Sequence, residues 1–399
     1  MRRAHTLPAM GAGEPGAAPN HAPPLVEILR EWVRIGCVGF GGPPVHIALL
    51  RELCVTNRAW LTSQQFERAI AATNLLPGPA STQLAIYCAW RLRGTRGALL
   101  GGLAFILPGL ILILGLAVAF LSGSPPLWLR ALGMGAGAAV PAVALRAGLG
   151  IAEPIWKATE RSRRARVLGY GLAGALAAAL TGPWLLLVLI GCGLLELLGR
   201  RLLGRLAGAH PWLALALAAP TGGTLALAWT ALKVGALAFG GGFVIVPLMQ
   251  TDAVSTYHWM SHTQFLNAVA LGQVTPGPLV QTVAVVGYAA AGLPGGLLAA
   301  AIAFAPSFSF ILIGAQRFER LLVNPRPIAF MAGAAPCAAG AILGAAIPLS
   351  LALRESWQYP LLALAVFGLL ALRRGVLTTL LGAGVIGVAA GLLGAPIPH

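Results

Sequence analysis

The chain repeats itself at a fixed distance of 199 residues, and both copies interrupt their apolar stretches with glycine and proline at the same places. Phe40-Gly41-Gly42-Pro43 returns as Phe239-Gly240-Gly241-Gly242. Trp60 returns as Trp259, Gln65-Phe66 as Gln264-Phe265, and Pro77-Gly78-Pro79 as Pro276-Gly277-Pro278. One residue is then lost, so that Gly94 matches Gly292 and Pro108 matches Pro306 at 198. A duplication whose helices are broken at corresponding positions is the mark of secondary transporters. Broken backbone at membrane depth is tolerated only where it faces protein or a water-filled cavity.

Composition places the chain in lipid. Hydrophobic residues make up 58% and charged residues 10% of it, against about 25% charged in a soluble domain. The 52 glycines suit close helix packing in a bilayer. A net charge of +16 does not point to nucleic acid, because the basic residues fall in short runs between apolar stretches, as topology signals do. The cysteines, Cys37, Cys54, Cys88, Cys192 and Cys337, form no CxxC, and neither a disulfide framework nor a zinc site is expected.

Helical spans of about 20 residues fall near 25–47, 68–90, 98–121, 127–150, 167–181 and 183–199, then near 224–249, 266–291, 296–316, 328–352, 359–372 and 376–395. Residues 1–24, rich in Pro, Gly and Ala, read as a disordered tail. A first repeat is expected at 25–205, a linker at 206–223 with room for one extra helix at 211–222, and a second repeat at 224–399. Basic loops orient the spans by the positive-inside rule. In the first copy Arg91, Arg93 and Arg96 precede the third span; in the second copy the matching loop at 292–295 is uncharged and Arg317, Arg320 and Arg326 follow the helix instead. This one-helix shift predicts an all-α polytopic membrane protein. Its two repeats, of about six segments each, have inverted topology and broken or re-entrant helices at the GGP and PGP motifs.

The breaks are the first place to look for chemistry. Glycine lets a ligand approach backbone closely, and a helix starting after proline presents unpaired N–H groups and a positive dipole end to an anion. The candidate substrate contacts are therefore Gly41, Gly42, Pro43, Pro77, Gly78 and Pro79 in the first copy, and Gly240, Gly241, Gly242, Pro276, Gly277 and Pro278 in the second. Asn74, Gln83, Gln273, Thr275 and Gln281 flank the PGP motifs and offer hydrogen bonds without charge. His46 reads either as a ligand contact or proton carrier or as a hydrogen-bonded structural histidine. Intramembrane cations are costly and usually functional. Lys233 stands in an apolar run with no acid nearer in sequence than Asp252, and its counterpart is Arg34. The competing readings are snorkelling for Lys233 and helical pairing with Glu27 and Glu31 for Arg34. His258 and His262 with Asp252 form too sparse a set for a metal site. No Walker loop, GxSxG or HExxH motif occurs, so neither an enzyme nor a cofactor is expected.

Several of these motifs, in fixed order, carry a family resemblance. Phe40-Gly41-Gly42-Pro43 with His46, then Trp60, Leu76-Pro77-Gly78-Pro79 and Phe105-Ile106-Leu107-Pro108-Gly109 resemble the chromate ion transporter family. So do Lys233 through Phe243, then Trp259, Gly272 through Pro278, and Ala305-Pro306-Ser307-Phe308. The match spans about 25–395, as two fused copies of the family domain. The resemblance implies a multi-pass inner-membrane protein, in contact with lipid, that exports chromate and confers chromate resistance. A sulfate-like oxyanion is the alternative substrate, and an enzyme or scaffold is the competing class. A homo-oligomer is left open.

Overall fold

The computed structural model describes residues 23–121, 125–181, 185–198, 222–238 and 242–397. Every regular element among them is helical. Four helical stretches are long and apolar enough to cross a membrane: Ala80–Leu121, Leu127–Ala158, Leu279–Arg317 and Pro325–Leu351. The expected tail and linker lie outside the described residues, apart from Pro23–Pro24 and Gly222–Gly223.

The stretch expected as one span at 25–47 is two helices, α1 (Leu25–Val38) and α2 (Pro43–Arg51), separated by the glycine break. A π-turn at Glu52–Asn57 continues α2. Arg58 then meets Glu27 at 3.1 Å and Glu31 at 3.5 Å, so the chain returns alongside the start of α1. The stretch at 68–90 is also divided. Helix α3 (Ser63–Leu75) stops before Pro77, because proline disfavours helical backbone at the residue before it, and α4 (Ala80–Leu121) starts after Pro79. A capping box between Thr62 and Gln65 starts α3.

Helix α4 is itself two arms. Arg93 and Gly94 leave helical geometry, with Gly94 at φ 59°, a conformation that glycine alone adopts cheaply. The chain folds back there. A Cβ on Gly97 would lie 2.2 Å from the Ala89 carbonyl, and one on Gly101 would lie 2.6 Å from Ala89 Cβ. Arg93 Nε donates to the Pro23 carbonyl at 2.6 Å, which brings this turn to the start of α1.

The second part of the chain runs α8 (Gly223–Leu237), α9 (Ile245–Gln250), α10 (His262–Val274) and α11 (Thr282–Gly314). Its details match those above at the sequence offset. A π-turn recurs at Thr251–Thr256, and a capping box recurs between Ser261 and Gln264. Ala59 and His258 both take positive φ, 48° and 53°. Helix α11 folds back at Ala291 and Gly292, with φ 63° at Gly292, and a Cβ on Gly295 would lie 2.3 Å from the Gly287 carbonyl. The long arms of α4 and α11 pack against each other in opposite directions, Gly102 on Phe308 and Leu114 on Gly296. The residue lost between the copies is absorbed after the second PGP, where a 3₁₀ turn at Leu279–Gln281 replaces the first α-helical turn.

The remaining helices buttress these arms. They are α5 (Leu127–Ala158), α6 (Arg164–Leu176), α7 (Leu185–Leu198), α12 (Phe318–Val323), α13 (Pro325–Leu351), α14 (Gln358–Val366) and α15 (Val376–Leu392). Small residues set their spacing. A Cβ on Gly174 would lie 2.0 Å from the Cys337 carbonyl, and one on Gly340 would lie 1.8 Å from the Gly171 carbonyl.

Candidate functional site

The two PGP turns do not lie apart; each docks on the other part of the chain. The Gly277 N–H donates to the Gly39 carbonyl at 3.0 Å. Pro276 presses its carbonyl on Gly109, where a Cβ would lie only 2.1 Å away. In the reciprocal contact Gly78 faces Gly235 and Ser307: a Cβ there would lie 3.1 Å from the Gly235 carbonyl and 3.5 Å from Ser307 Oγ. Gly78 and Gly277 hold φ of 115° and 103°, which an L side chain would strain.

Each turn is closed by a glutamine. Gln83 Nε2 donates to the Pro77 carbonyl at 2.7 Å, and Gln281 Nε2 donates to the Pro276 carbonyl at 2.7 Å. Both side chains are fully buried, and the Oε1 of each has no hydrogen-bond partner. The hydroxyls of Thr82, Thr282 and Ser307 are likewise buried without a partner, as is Nε2 of Gln273. Buried polar atoms are normally satisfied. Six such atoms along the two turns make a set of donors and acceptors that a polar guest would complete.

His46 is a clamp in this geometry. It is fully buried. Its Nε2 lies 2.8 Å from the Gly39 carbonyl, which only accepts, so Nε2 carries the proton and Nδ1 accepts from the Ser81 hydroxyl at 3.3 Å. Phe105 meets the ring edge-on at 5.1 Å. The Gly39 carbonyl therefore takes two hydrogen bonds, one from α2 and one from the second PGP turn. Both ring nitrogens of His46 are thus engaged by groups of the protein.

The intramembrane cations are paired. Lys233 is not isolated: its Nζ lies 2.5 Å from Asp252 Oδ2, in a pair whose side chains are 15% and 10% exposed. Thr230 donates to the same oxygen at 2.8 Å, and Trp229 faces the ammonium at 5.9 Å. The 18 residues between the partners hide this in sequence; the hairpin formed by α8 and the π-turn after α9 brings them together. Arg34 is 54% exposed and bonds Glu31 at 2.8 Å, which is the helical pairing alternative.

Gly41 and Gly42 take φ of 103° and 75°, and the Gly42 carbonyl accepts from the N–H groups of Val45 and His46 as α2 begins at Pro43. Gly242, at φ 89°, packs on Leu279. Gly240 and Gly241 lie outside the described residues. Asn74 is exposed, so the turn does not enclose it. Thr275 is buried and returns its hydroxyl to the Leu271 carbonyl at 2.8 Å. Pro79 and Pro278 start the helical turns that carry the two glutamines. Sequence reasoning singled out both glutamines, Gln83 and Gln281, and missed Ser81, Thr82, Thr282 and Ser307. It also missed the cavity of about 310 Å³ that reaches Pro77 between α3, α7 and α13, with Asn324 and Arg326 on its wall. Arg326 has no acidic partner among the described residues. Those residues contain no cluster of three or more His, Cys, Asp or Glu that could hold a metal.

The arrangement offers neutral donors, helix starts and close backbone around two linked turns. That chemistry suits binding and release of a small polar solute. Comparison with known proteins agrees. A family model described as chromate transporter matches residues 26–197 and 225–388. The chromate transport protein of Cupriavidus metallidurans is 32% identical over 97% of both chains. The probable chromate transport protein of Synechococcus elongatus is 30% identical over 82% of this chain and 84% of its own. The chromate transport protein of Pseudomonas aeruginosa is 30% identical over 81% of this chain and 80% of its own. No solved structure matches the chain at a significant level. With a family match over both parts of the sequence and a relative aligned nearly end to end, the chain belongs to the chromate transporter family, multi-pass membrane transporters rather than enzymes.

Proposed function

We propose that the protein exports chromate from the cytoplasm, as a tetrahedral dianion, through the place where the two PGP turns dock, and so confers chromate resistance. The observation that carries this reading is the set of unpartnered hydroxyl and amide groups of Thr82, Thr282, Ser307 and Gln273 beside the turns. Hydroxyls and amides donate to oxyanion oxygens, and the helix starts after Pro79 and Pro278 add N–H groups and a favourable dipole. The contacts proposed from sequence at Gly41, Gly42, Pro43, Pro77, Gly78, Pro79, Gly240, Gly241, Gly242, Pro276, Gly277 and Pro278 act through backbone. Gln83, Gln273 and Thr275 line or brace them. Lys233, His46, Arg34 and Asn74 stay candidates of lower rank: the first three are engaged with protein partners, and Asn74 is exposed.

The architecture of this reading is two inverted-topology repeats, 25–205 and 224–399, each with two re-entrant hairpins followed by a full crossing. Two observations support it. The matched long arms of α4 and α11 run antiparallel, and Ile106 and Phe304, 198 residues apart in sequence, line one cavity at their crossing. Basic residues at 91–96, 157–166 and 317–326 then share one face, the cytoplasmic face of an inner membrane. Arg326 and its cavity open toward that face and lead to Pro77, as loading from the cytoplasm requires.

Export needs no second ion on this reading. Each charge crossing 100 mV is worth about 2.3 kcal/mol, so a dianion leaving a negative interior gains about 4.6 kcal/mol, enough for a gradient of roughly a thousandfold. The test is uptake of labelled chromate into everted vesicles with a positive lumen, with sulfate and phosphate as competitors. Chromate uptake above that of empty vesicles, blocked weakly by sulfate, is expected. Uptake of sulfate in preference to chromate would reassign the substrate to another oxyanion.

A further inference from the structure

Between α5, α6 and α13, away from the PGP turns, two cavities adjoin. One, of about 340 Å³, is polar on one wall, with Thr159, Glu160, Arg163, Arg166, Tyr170 and Glu196. The other, of about 460 Å³, is almost wholly apolar, with Leu149, Trp156, Leu168, Leu172 and Leu343. Ile155, Val167 and Pro336 line both, so the groove has a polar end and an adjoining apolar length. Leu168 and Leu172 are exposed along it.

The polar end is built, and with Arg164 beside it its guanidinium groups outnumber the carboxylates of Glu160 and Glu196 by three to two. Glu196 takes Arg166 with both oxygens, at 2.9 and 3.1 Å, and accepts from the Tyr170 hydroxyl at 2.9 Å. That pair is neutral and fixes the floor. Arg163 has no acidic partner among the described residues. Arg164 lies 4.9 Å over the ring of Trp156, a residue of the apolar cavity's wall, and its Nε is buried without a hydrogen-bond partner. Two guanidinium groups thus stand beside the polar end while an apolar channel leads away between helices.

We propose that this groove is a binding site for an anionic phospholipid of the leaflet facing the 157–166 loop. The phosphodiester lies at Arg163 and Arg164, and one acyl chain lies along Leu172, Leu168 and Trp156. Basic recesses between membrane helices bind such headgroups, and the apolar length distinguishes a lipid from a free phosphate.

Native mass spectrometry of the purified full-length protein tests it, with phosphatidylglycerol, phosphatidylcholine and glycerol 3-phosphate as probes. Phosphatidylglycerol should bind at least tenfold tighter than phosphatidylcholine. Arg163→Gln should weaken it roughly fivefold, and Arg163→Gln with Arg164→Gln roughly thirtyfold, at about 1 kcal/mol per cation. Leu172→Asn, on the exposed wall, should weaken it about fivefold through the lost apolar contact. Equal binding of the two lipids, a double variant that binds like the parent, or displacement by glycerol 3-phosphate at equal affinity would overturn the proposal; the last would mean an anion site without a lipid.

Discussion

Lys233 and Asp252 show most clearly what a single residue does in this protein. Asp252 is the chain's only aspartate, and it sits against the one lysine of an apolar helix. Breaking a buried pair from one side costs about 3–5 kcal/mol, because the partner is left charged and alone, whereas removing both is far milder. Lys233→Gln is therefore expected to lower the melting temperature and the amount of protein in the membrane. Lys233→Gln with Asp252→Asn should recover both, as a cycle of single and double variants measured by thermal denaturation will read. Transport in the double variant assigns the lysine: near-normal chromate uptake makes the pair a brace, and lost uptake in a well-folded double variant makes Lys233 a contact for the anion. From sequence alone the lysine looks unpaired. The partner lies on the returning limb of a hairpin, and sequence separation says nothing about that return. His46 was ambiguous for a similar reason, since its carbonyl partner Gly39 and hydroxyl partner Ser81 lie on two different elements.

At the scale of elements, the breaks were readable and their consequences were not. Glycine and proline announce where a helix stops, and the stops at Gly39–Gly42 and at the PGP turns fall where the motifs stand. The fold-backs at Gly94 and Gly292 fall between the spans expected at 68–90 and 98–121 and at 266–291 and 296–316. Backbone contact makes these elements intolerant of volume. Gly109→Ala places its Cβ 2.1 Å from the Pro276 carbonyl, while at Gly115, one and a half turns further along the same arm, no atom lies within 4 Å. Overpacking of this kind costs about 1–3 kcal/mol. Gly109→Ala should lower thermal stability in detergent and displace the second PGP turn, with reduced transport. Gly115→Ala should leave both unchanged or slightly raise stability, since alanine favours helix over glycine by about 1 kcal/mol. Equal behaviour of the two variants would mean that the PGP turn is not seated on this arm.

The whole molecule is governed by the relation between its two parts. Matched capping boxes, π-turns, left-handed residues and fold-backs recur at the offset visible in the sequence. The basic loops shift by one helix between the copies, which points to opposite insertion. Single cysteines at 95 and 293, in a background without native cysteine, should label from opposite sides of the membrane: the first from the cytoplasm and the second from outside. Labelling from one side only would remove the inverted arrangement. The docking of each turn on the other copy, Gly277 on Gly39 and Gly78 on Gly235, was not readable from either copy alone. It depends on how the two fold together, and it decides where an anion would pass.

The central claim is that a dianion crosses alone, driven by the membrane potential. The most direct measurement is the steady-state chromate ratio across proteoliposomes of the purified protein, taken at a series of imposed potassium-diffusion potentials. Two charges moving without a coupled ion predict a tenfold change in the ratio for about every 30 mV, unaltered when proton and sodium gradients are collapsed. A ratio indifferent to the potential, or one that follows the proton or sodium gradient instead, would contradict the account.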